Sequence, residues 1–201
     1  MPGSRSGSSR CPALPAAVTE SSFRPEMQVL PLFSTAEVEL RISEIADRLY
    51  RDYADSPLTI LCIAEGAKRF AEALTERLQR DNVRHEVHYV VARRPSGTDL
   101  GAVQVDGFDP TVLEERDLLI VDNIADGGTT LRAVLELVEL AETRTVRTAV
   151  LVNKRERRRE EVRLDYVGFE VESGWVVGYG MDIDGEFRDL DEIGVIDQTD
   201  P

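Results

Sequence analysis

Lysine, cysteine and histidine are scarce in this sequence, and long apolar runs are missing from it. The two cysteines, Cys11 and Cys62, are too few for a disulfide framework. Cys62 lies inside the apolar run Leu58–Ala64 and reads as a buried free thiol of a reducing compartment, which points to the cytoplasm. No apolar stretch approaches the roughly 20 residues that a membrane-spanning helix needs. The segment from Met1 to Ala17 is interrupted by Pro12 and Pro15 and makes a poor signal peptide. The 24 basic residues are outnumbered by 38 acidic ones, for a formal net charge of −14. That balance disfavours nucleic-acid and membrane partners, which select basic faces. It leaves small anionic substrates open, because one local site can oppose the global charge. All but two of the basic residues are arginine, so Lys68 and Lys154 stand out.

The 201 residues suit one domain with a small appendage. Residues 1–26, rich in Ser, Gly, Pro and Arg, read as a disordered tail, and residues 27–201 as the folded unit. Ser34 and Glu37 have capping-box spacing, and Val38, Ile42, Ile45, Ala46 and Leu49 continue at helical intervals. Leu58–Ala64 reads as a strand, then Glu65-Gly66-Ala67 as a turn, then a helix to about Arg80. His85 to Val91 alternates as a strand does, and Arg93 to Gly107 reads as a loop. Leu118 to Val121 is expected to be a buried strand, Thr130 to Ala141 a helix and Val146 to Val152 a strand. Two short strands, Val167 to Val171 and Trp175 to Gly178, follow. The succession implies an α/β fold with a mainly parallel sheet flanked by helices.

The chemistry concentrates in Asp122-Asn123-Ile124-Ala125-Asp126-Gly127-Gly128-Thr129-Thr130, between a strand and a helix. Open α/β sheets bind ligands beyond the carboxyl ends of their strands. Free N–H groups and the positive end of a helix dipole suit a phosphate there. Gly127 and Gly128 let the backbone approach it, and the Thr129 and Thr130 hydroxyls add donors. The preceding carboxylates suit sugar hydroxyls or a metal ion.

This segment resembles the phosphoribosyl-diphosphate (PRPP) loop of type I phosphoribosyltransferases, and the likeness runs from about Val29 to Ile196. Leu61 to Leu78 resembles the pyrophosphate-binding strand, turn and helix of the hypoxanthine-guanine branch. Leu151 to Arg155 resembles its lysine segment. Tyr166 to Glu170, Trp175 to Asp182, Phe187 to Leu190 and Ile193 to Ile196 resemble its base-binding cap. The resemblance implies a core of about residues 50–160 and a cap, or hood, built from about 27–49 and 161–201.

It also implies roles. Asp126 would be the general acid or base beside the purine; its ordinary alternative is a helix N-cap. Asp122 and Asn123 would face the ribose, and Gly127, Gly128, Thr129 and Thr130 the 5-phosphate. Lys154 would donate to the purine 6-oxo group, unless it is simply exposed. Trp175 would stack on the purine, unless it is a core aromatic. Val176 would lend backbone groups and Asp182 would sit near the purine. Glu65, Gly66 and Arg188 would meet pyrophosphate. Mg²⁺ is the implied cofactor, with Asp182 and Asp122 as its ligands, and a homodimer or homotetramer the implied assembly.

Two positions depart from the family pattern: Asn123 replaces a carboxylate, and Glu65 stands where a basic residue is usual. The Ser-Tyr pair common to the mobile loop of this branch is absent from Arg93 to Gly101. His85-Glu86-Val87-His88 is not a metalloprotease motif, and Arg155 to Arg163 alternates in sign as a solvated loop does. The implied activity is transfer of ribose 5-phosphate from PRPP to hypoxanthine or guanine, giving IMP or GMP and pyrophosphate. The alternative is a PRPP- or nucleotide-binding regulator on the same fold. With few side-chain cations at the site, strong Mg²⁺ dependence is expected.

Overall fold

The computed structural model describes residues 27–93, 103–107 and 109–197; the expected tail, 1–26, and the greater part of the expected loop after Arg93 lie outside the described residues. The chain runs β1 (Val29–Phe33), α1 (Thr35–Tyr53), β2 (Leu58–Ala64), α2 (Lys68–Arg80), β3 (His85–Arg93) and β4 (Gln104–Asp106). A 3₁₀ turn at Pro110–Leu113 precedes β5 (Asp117–Ala125), α3 (Thr129–Val138), β6 (Thr145–Lys154), β7 (Tyr166–Val171), β8 (Trp175–Val177) and β9 (Ile193–Ile196).

The main sheet has the order β4-β3-β2-β5-β6-β7, parallel throughout except for β4. Successive strands step outward from β2 to β3 on one side and from β5 to β7 on the other. The strand order therefore reverses between β2 and β5, the place where open sheets leave a crevice. β2 and β5 are buried on both faces, which explains the apolar runs Ile60–Ala64 and Leu118–Val121 within them. One face packs against α1 and α2; the other packs against α3 and the 3₁₀ turn.

α1 begins at the expected capping box: Ser34 Oγ accepts from the Glu37 N–H, and the Glu37 carboxylate accepts from the Ser34 N–H at 2.8 Å. Its apolar stripe, Val38, Ile42, Ile45, Ala46, Leu49 and Tyr53, is buried in the core it shares with α2. Each large apolar side chain so buried contributes about 1.5–3 kcal/mol. That attachment makes α1 a layer of the core, although its sequence range had suggested the cap. β7, also within the expected cap range, is the edge strand of the main sheet.

The hood itself is a separate antiparallel sheet, β1-β9-β8. Arg69 at the start of α2 ties it down. The guanidinium donates to the Leu190 carbonyl at 2.8 Å, pairs with Asp191 and lies 4.4 Å from the Tyr179 ring centroid. Several elements differ from the sequence reading. β1 was not expected, β4 lies within the span read as loop, and α3 ends at Val138 rather than near Ala141. β5 also continues to Ala125, four residues beyond its apolar run.

Candidate active site

The extension of β5 decides how its polar residues are displayed. Successive side chains of a strand point to opposite faces. Asp122 lines a cavity of about 220 Å³ together with Ile124, Ala125 and residues 126–131, so the loop and the first turn of α3 enclose it. Asn123 turns the other way: a Cβ on Gly66 would lie 2.6 Å from Asn123 Nδ2. The expected ribose pair is thus divided, with Asp122 beside the phosphate loop and Asn123 beside the turn after β2.

No side chain caps α3; its N-cap is Gly128, in the left-handed conformation at φ 82°. Asp126, for which the cap was the ordinary alternative to a catalytic role, does not fill it. A Cβ at Gly128 would approach the Glu160 carbonyl oxygen to 2.3 Å, so glycine is required twice, by conformation and by space. Burial away from a cation pushes the Asp122 carboxyl up from 3.8 to about 7, against the lowering effect of the Asn123 and Ile124 N–H groups.

Lys154 is the second centre. It ends β6 at 2% exposure, which excludes the exposed-lysine alternative. Its ammonium donates to the Gly174 carbonyl at 2.8 Å and meets Asp126 Oδ2 at 3.1 Å and Glu156 Oε2 at 3.6 Å. Asp126 Oδ1 is buried and has no hydrogen-bond partner. One carboxylate oxygen is therefore fixed by lysine while the other is presented unpaired. Gly174 precedes Trp175, so the lysine also brings the indole alongside. Trp175 is 40% exposed, not a core aromatic, and the Arg157 guanidinium lies 4.1 Å from its ring centroid. Val176 is buried and pairs with Val195 in the hood sheet.

The third centre is the turn from β2 into α2. The Ala64–Glu65 peptide is cis. α2, like α3, has no side-chain cap, so both central strands of the sheet feed helix N-termini that no side chain caps. Glu65 is exposed. Gly66 is enclosed by Asn123 and by the hood, where a Cβ on Gly180 would come within 2.2 Å of the Gly66 carbonyl oxygen. In the hood hairpin, Arg188 Nη2 donates to Asp182 Oδ1 at 2.6 Å and the Gly185 N–H donates to Asp182 Oδ2 at 2.8 Å. Arg188 Nε is buried without a partner.

Asp122, Asp126, Gly127, Gly128, Thr129 and Thr130 therefore share one cavity, with Lys154 and Trp175 adjoining through Asp126 and Gly174. Glu65 and Gly66 form the neighbouring turn, while Asp182 and Arg188 pair in the hood. Among the described residues no group of three or more His, Cys, Asp or Glu side chains is arranged to hold a metal. Asp122 beside the phosphate loop and Asp182 in the hood offer the carboxylate oxygens that Mg²⁺ takes, one or two of which commonly suffice alongside water and substrate phosphates. Sequence reasoning missed Glu156, Arg157 and Arg158, all within a run whose alternating charges signal only solvation. It also missed Arg69 and Gly180, which no motif distinguishes.

The chain is similar to known proteins. The family model of the phosphoribosyl transferase domain matches residues 31–184. The hypoxanthine-guanine phosphoribosyltransferase of Dictyostelium discoideum is 30% identical over 166 residues, covering 81% of this chain and 92% of that protein. The hypoxanthine-guanine-xanthine phosphoribosyltransferase of Tritrichomonas foetus is 27% identical, covering 90% of this chain and 98% of that protein. The structure of Trypanosoma cruzi hypoxanthine phosphoribosyltransferase in complex with its product IMP has a TM-score of 0.79 at 27% identity. That match covers 87% of this chain and 97% of the other. With a switch-point crevice, an uncapped glycine-rich helix start and these likenesses in one chain, it belongs to the phosphoribosyltransferase family.

Proposed function

We propose that this protein joins a 6-oxopurine, hypoxanthine or guanine, to PRPP, releasing the nucleoside monophosphate and pyrophosphate. The observation that carries the reading is that two of the four buried side-chain polar atoms without partners among the described residues, Asp126 Oδ1 and Arg188 Nε, belong to the expected site. Buried groups of this kind are rare in folded proteins and call for a partner. One is a carboxylate oxygen that accepts, the other a guanidinium N–H that donates. A purine N–H and a pyrophosphate oxygen supply the two complements.

In this reading the 5-phosphate sits on the N–H groups at the start of α3, and the ribose lies beside Asp122. The purine stacks on Trp175, and Lys154 donates to its 6-oxo group. Bond formation from purine N9 to C1 of the ribose accompanies cleavage of the C1–O bond to pyrophosphate. The N7 proton of the purine passes to Asp126 Oδ1. Lys154, holding Asp126 Oδ2, orients that carboxylate toward the proton it receives. Arg188 meets the departing pyrophosphate through charge-assisted hydrogen bonds. Asp122 and Asp182 are the residues that would hold Mg²⁺, which when bound supplies positive charge to the pyrophosphate oxygens.

The experiment is a base panel, hypoxanthine, guanine, xanthine and adenine, each with PRPP and Mg²⁺, following nucleotide and pyrophosphate together. Turnover is expected with the 6-oxopurines and not with adenine, whose 6-amino group cannot accept from Lys154. PRPP binding without product from any base would sink the catalytic reading in favour of a nucleotide-binding regulator. Glu65 and Asn123, the two departures from the family pattern, would then be the residues to revert together.

A further inference from the structure

The run from Arg155 to Arg163 alternates in charge, and its side chains are mostly exposed. Arg158 is the exception, turned inward and half-buried. Its Nε donates to the Asp126 carbonyl at 2.9 Å. Its Nη2 lies 2.8 Å from the Ala125 carbonyl, 2.6 Å from Asn153 Oδ1 and 3.2 Å from the Lys154 carbonyl. Ala125 and Asn153 are paired at the ends of β5 and β6, where the ladder stops. The Ala125 and Asp126 carbonyls lie at and just beyond the end of that ladder, and the guanidinium supplies donors to them. A planar fork with donors on several edges suits this task; a lysine ammonium, one point charge on a flexible stem, does not.

The fork is itself anchored. Asn153 is 2% exposed, and its Nδ2 donates to both carboxylate oxygens of Glu170, at 3.1 and 2.9 Å. The backbone following Arg158 completes the support, since the Arg159 and Glu160 N–H groups donate to the Gly127 carbonyl at 2.9 and 3.1 Å. Asp126 is therefore held at two points: its carboxylate by Lys154 and its main chain by Arg158.

We infer that Arg158 is a positioning residue for Asp126 and the phosphate loop, anchored through Asn153 to Glu170. The catalytic consequence rests on the proposed transfer reaction; the effect on the loop does not. A displacement of about 1 Å at a reacting group can slow a reaction about a hundredfold. Arg158→Ala should therefore lower kcat about 10- to 100-fold and raise the KM for PRPP. Arg158→Lys should show nearly the same loss, because it keeps charge but not the fork. Millimolar guanidinium ion should restore part of the activity of Arg158→Ala. A purely structural loss would show no such rescue. Glu170→Gln should give a smaller effect in the same direction.

The loop itself is read by hydrogen exchange of the full-length protein. Amides from Asp126 to Leu131 should exchange faster in Arg158→Ala and Arg158→Lys, while those of β2 stay protected. If Arg158→Ala does not fold, Arg158→Lys carries both measurements. Wild-type kcat and KM together with unchanged loop exchange in the folded variants would overturn the inference. Faster loop exchange and weaker PRPP binding in a protein that turns over no base would leave it standing while the proposed reaction fell.

Discussion

The loop after β5 and the turn after β2 occupy equivalent places in one sheet, yet they are built differently. Each follows a central strand, and each leads into a helix with no side-chain cap. The β5 loop carries Asp126, follows the strand carboxylate Asp122, and is braced from behind by Arg158, Lys154 and the backbone of 159 and 160. The β2 turn is short, carries the exposed Glu65, and is shaped by contact with Asn123 and Gly180. Helix N-termini alone give both places affinity for anions. Under the proposed reaction, rigidity and carboxylates suit the first to a fixed 5-phosphate and to proton transfer. The second, built of backbone groups, suits a leaving group that must depart.

The largest effect that would break this contrast concerns Asp122, the buried carboxylate of β5 that leads into the braced loop. Its folded value of about 7 stands above the ordinary 3.8. Between those values the unfolded chain has lost a proton that the folded chain keeps. Asp122 therefore stabilises the fold fully below pH 3.8, and the contribution drains away as pH rises to about 7. At about 1.4 kcal/mol per unit, the total is on the order of a few kcal/mol. Urea melts of the ligand-free protein and of Asp122→Asn between pH 4.5 and 7.5 should diverge, the wild type falling relative to the variant. Parallel curves would show that Asp122 is ordinarily solvated and that the cavity is open to water.

Next in size is Asp126. Its replacement by Ala should lower kcat about a hundredfold or more, the usual weight of positioned acid–base groups. The fold should survive, since Asp126 is not the cap of α3. A variant retaining full kcat would remove the acid–base role while leaving the phosphate site intact.

The two glycines compare the regions directly, at a smaller scale. In Gly128→Ala a methyl meets a backbone carbonyl oxygen at 2.3 Å in a left-handed conformation, so the loop must shift. Strain of this kind costs of order 1–3 kcal/mol, and PRPP affinity should fall with it. In Gly66→Ala the obstacle is the side-chain end of Asn123, at 2.6 Å. Stability should fall less, and Asn123→Ala in the same chain should relieve most of the loss. Thermal melts of the three variants check the ranking; equal losses would mean that the turn is braced as firmly as the loop.

Much of this contrast could be read in the sequence, because it rests on local patterns. Unbroken apolar runs marked β2 and β5, a capping box marked α1, and Gly127-Gly128-Thr129-Thr130 marked an anion site at a helix start. The division between Asp122 and Asn123 was hidden, because their polarity ended the expected strand at Val121 and so concealed the two-residue alternation. β4, three residues long, has too little pattern of its own. Arg158 was illegible for another reason: its neighbours Arg157 and Arg159 have the same chemistry, and only the unpaired carbonyls of distant strands select among them. The pairing of Asp182 with Arg188 belongs to this class too, being set by the hood hairpin rather than by any spacing.

The smallest effect tests the turn. Glu65 places a negative charge where the proposed reaction releases pyrophosphate, so Glu65→Lys should favour anion binding there. Its side chain is exposed, and exposed charge pairs are worth about 0.2–1 kcal/mol, which is about a fivefold change in affinity at most. The gain should appear in the KM for PRPP and in product inhibition by pyrophosphate, and it should fade as salt rises and the Debye length shortens. A change in kcat of more than about tenfold lies beyond what an exposed charge can supply. It would mean that Glu65 acts on the reacting atoms, and that the β2 turn, like the β5 loop, takes part in the chemical step.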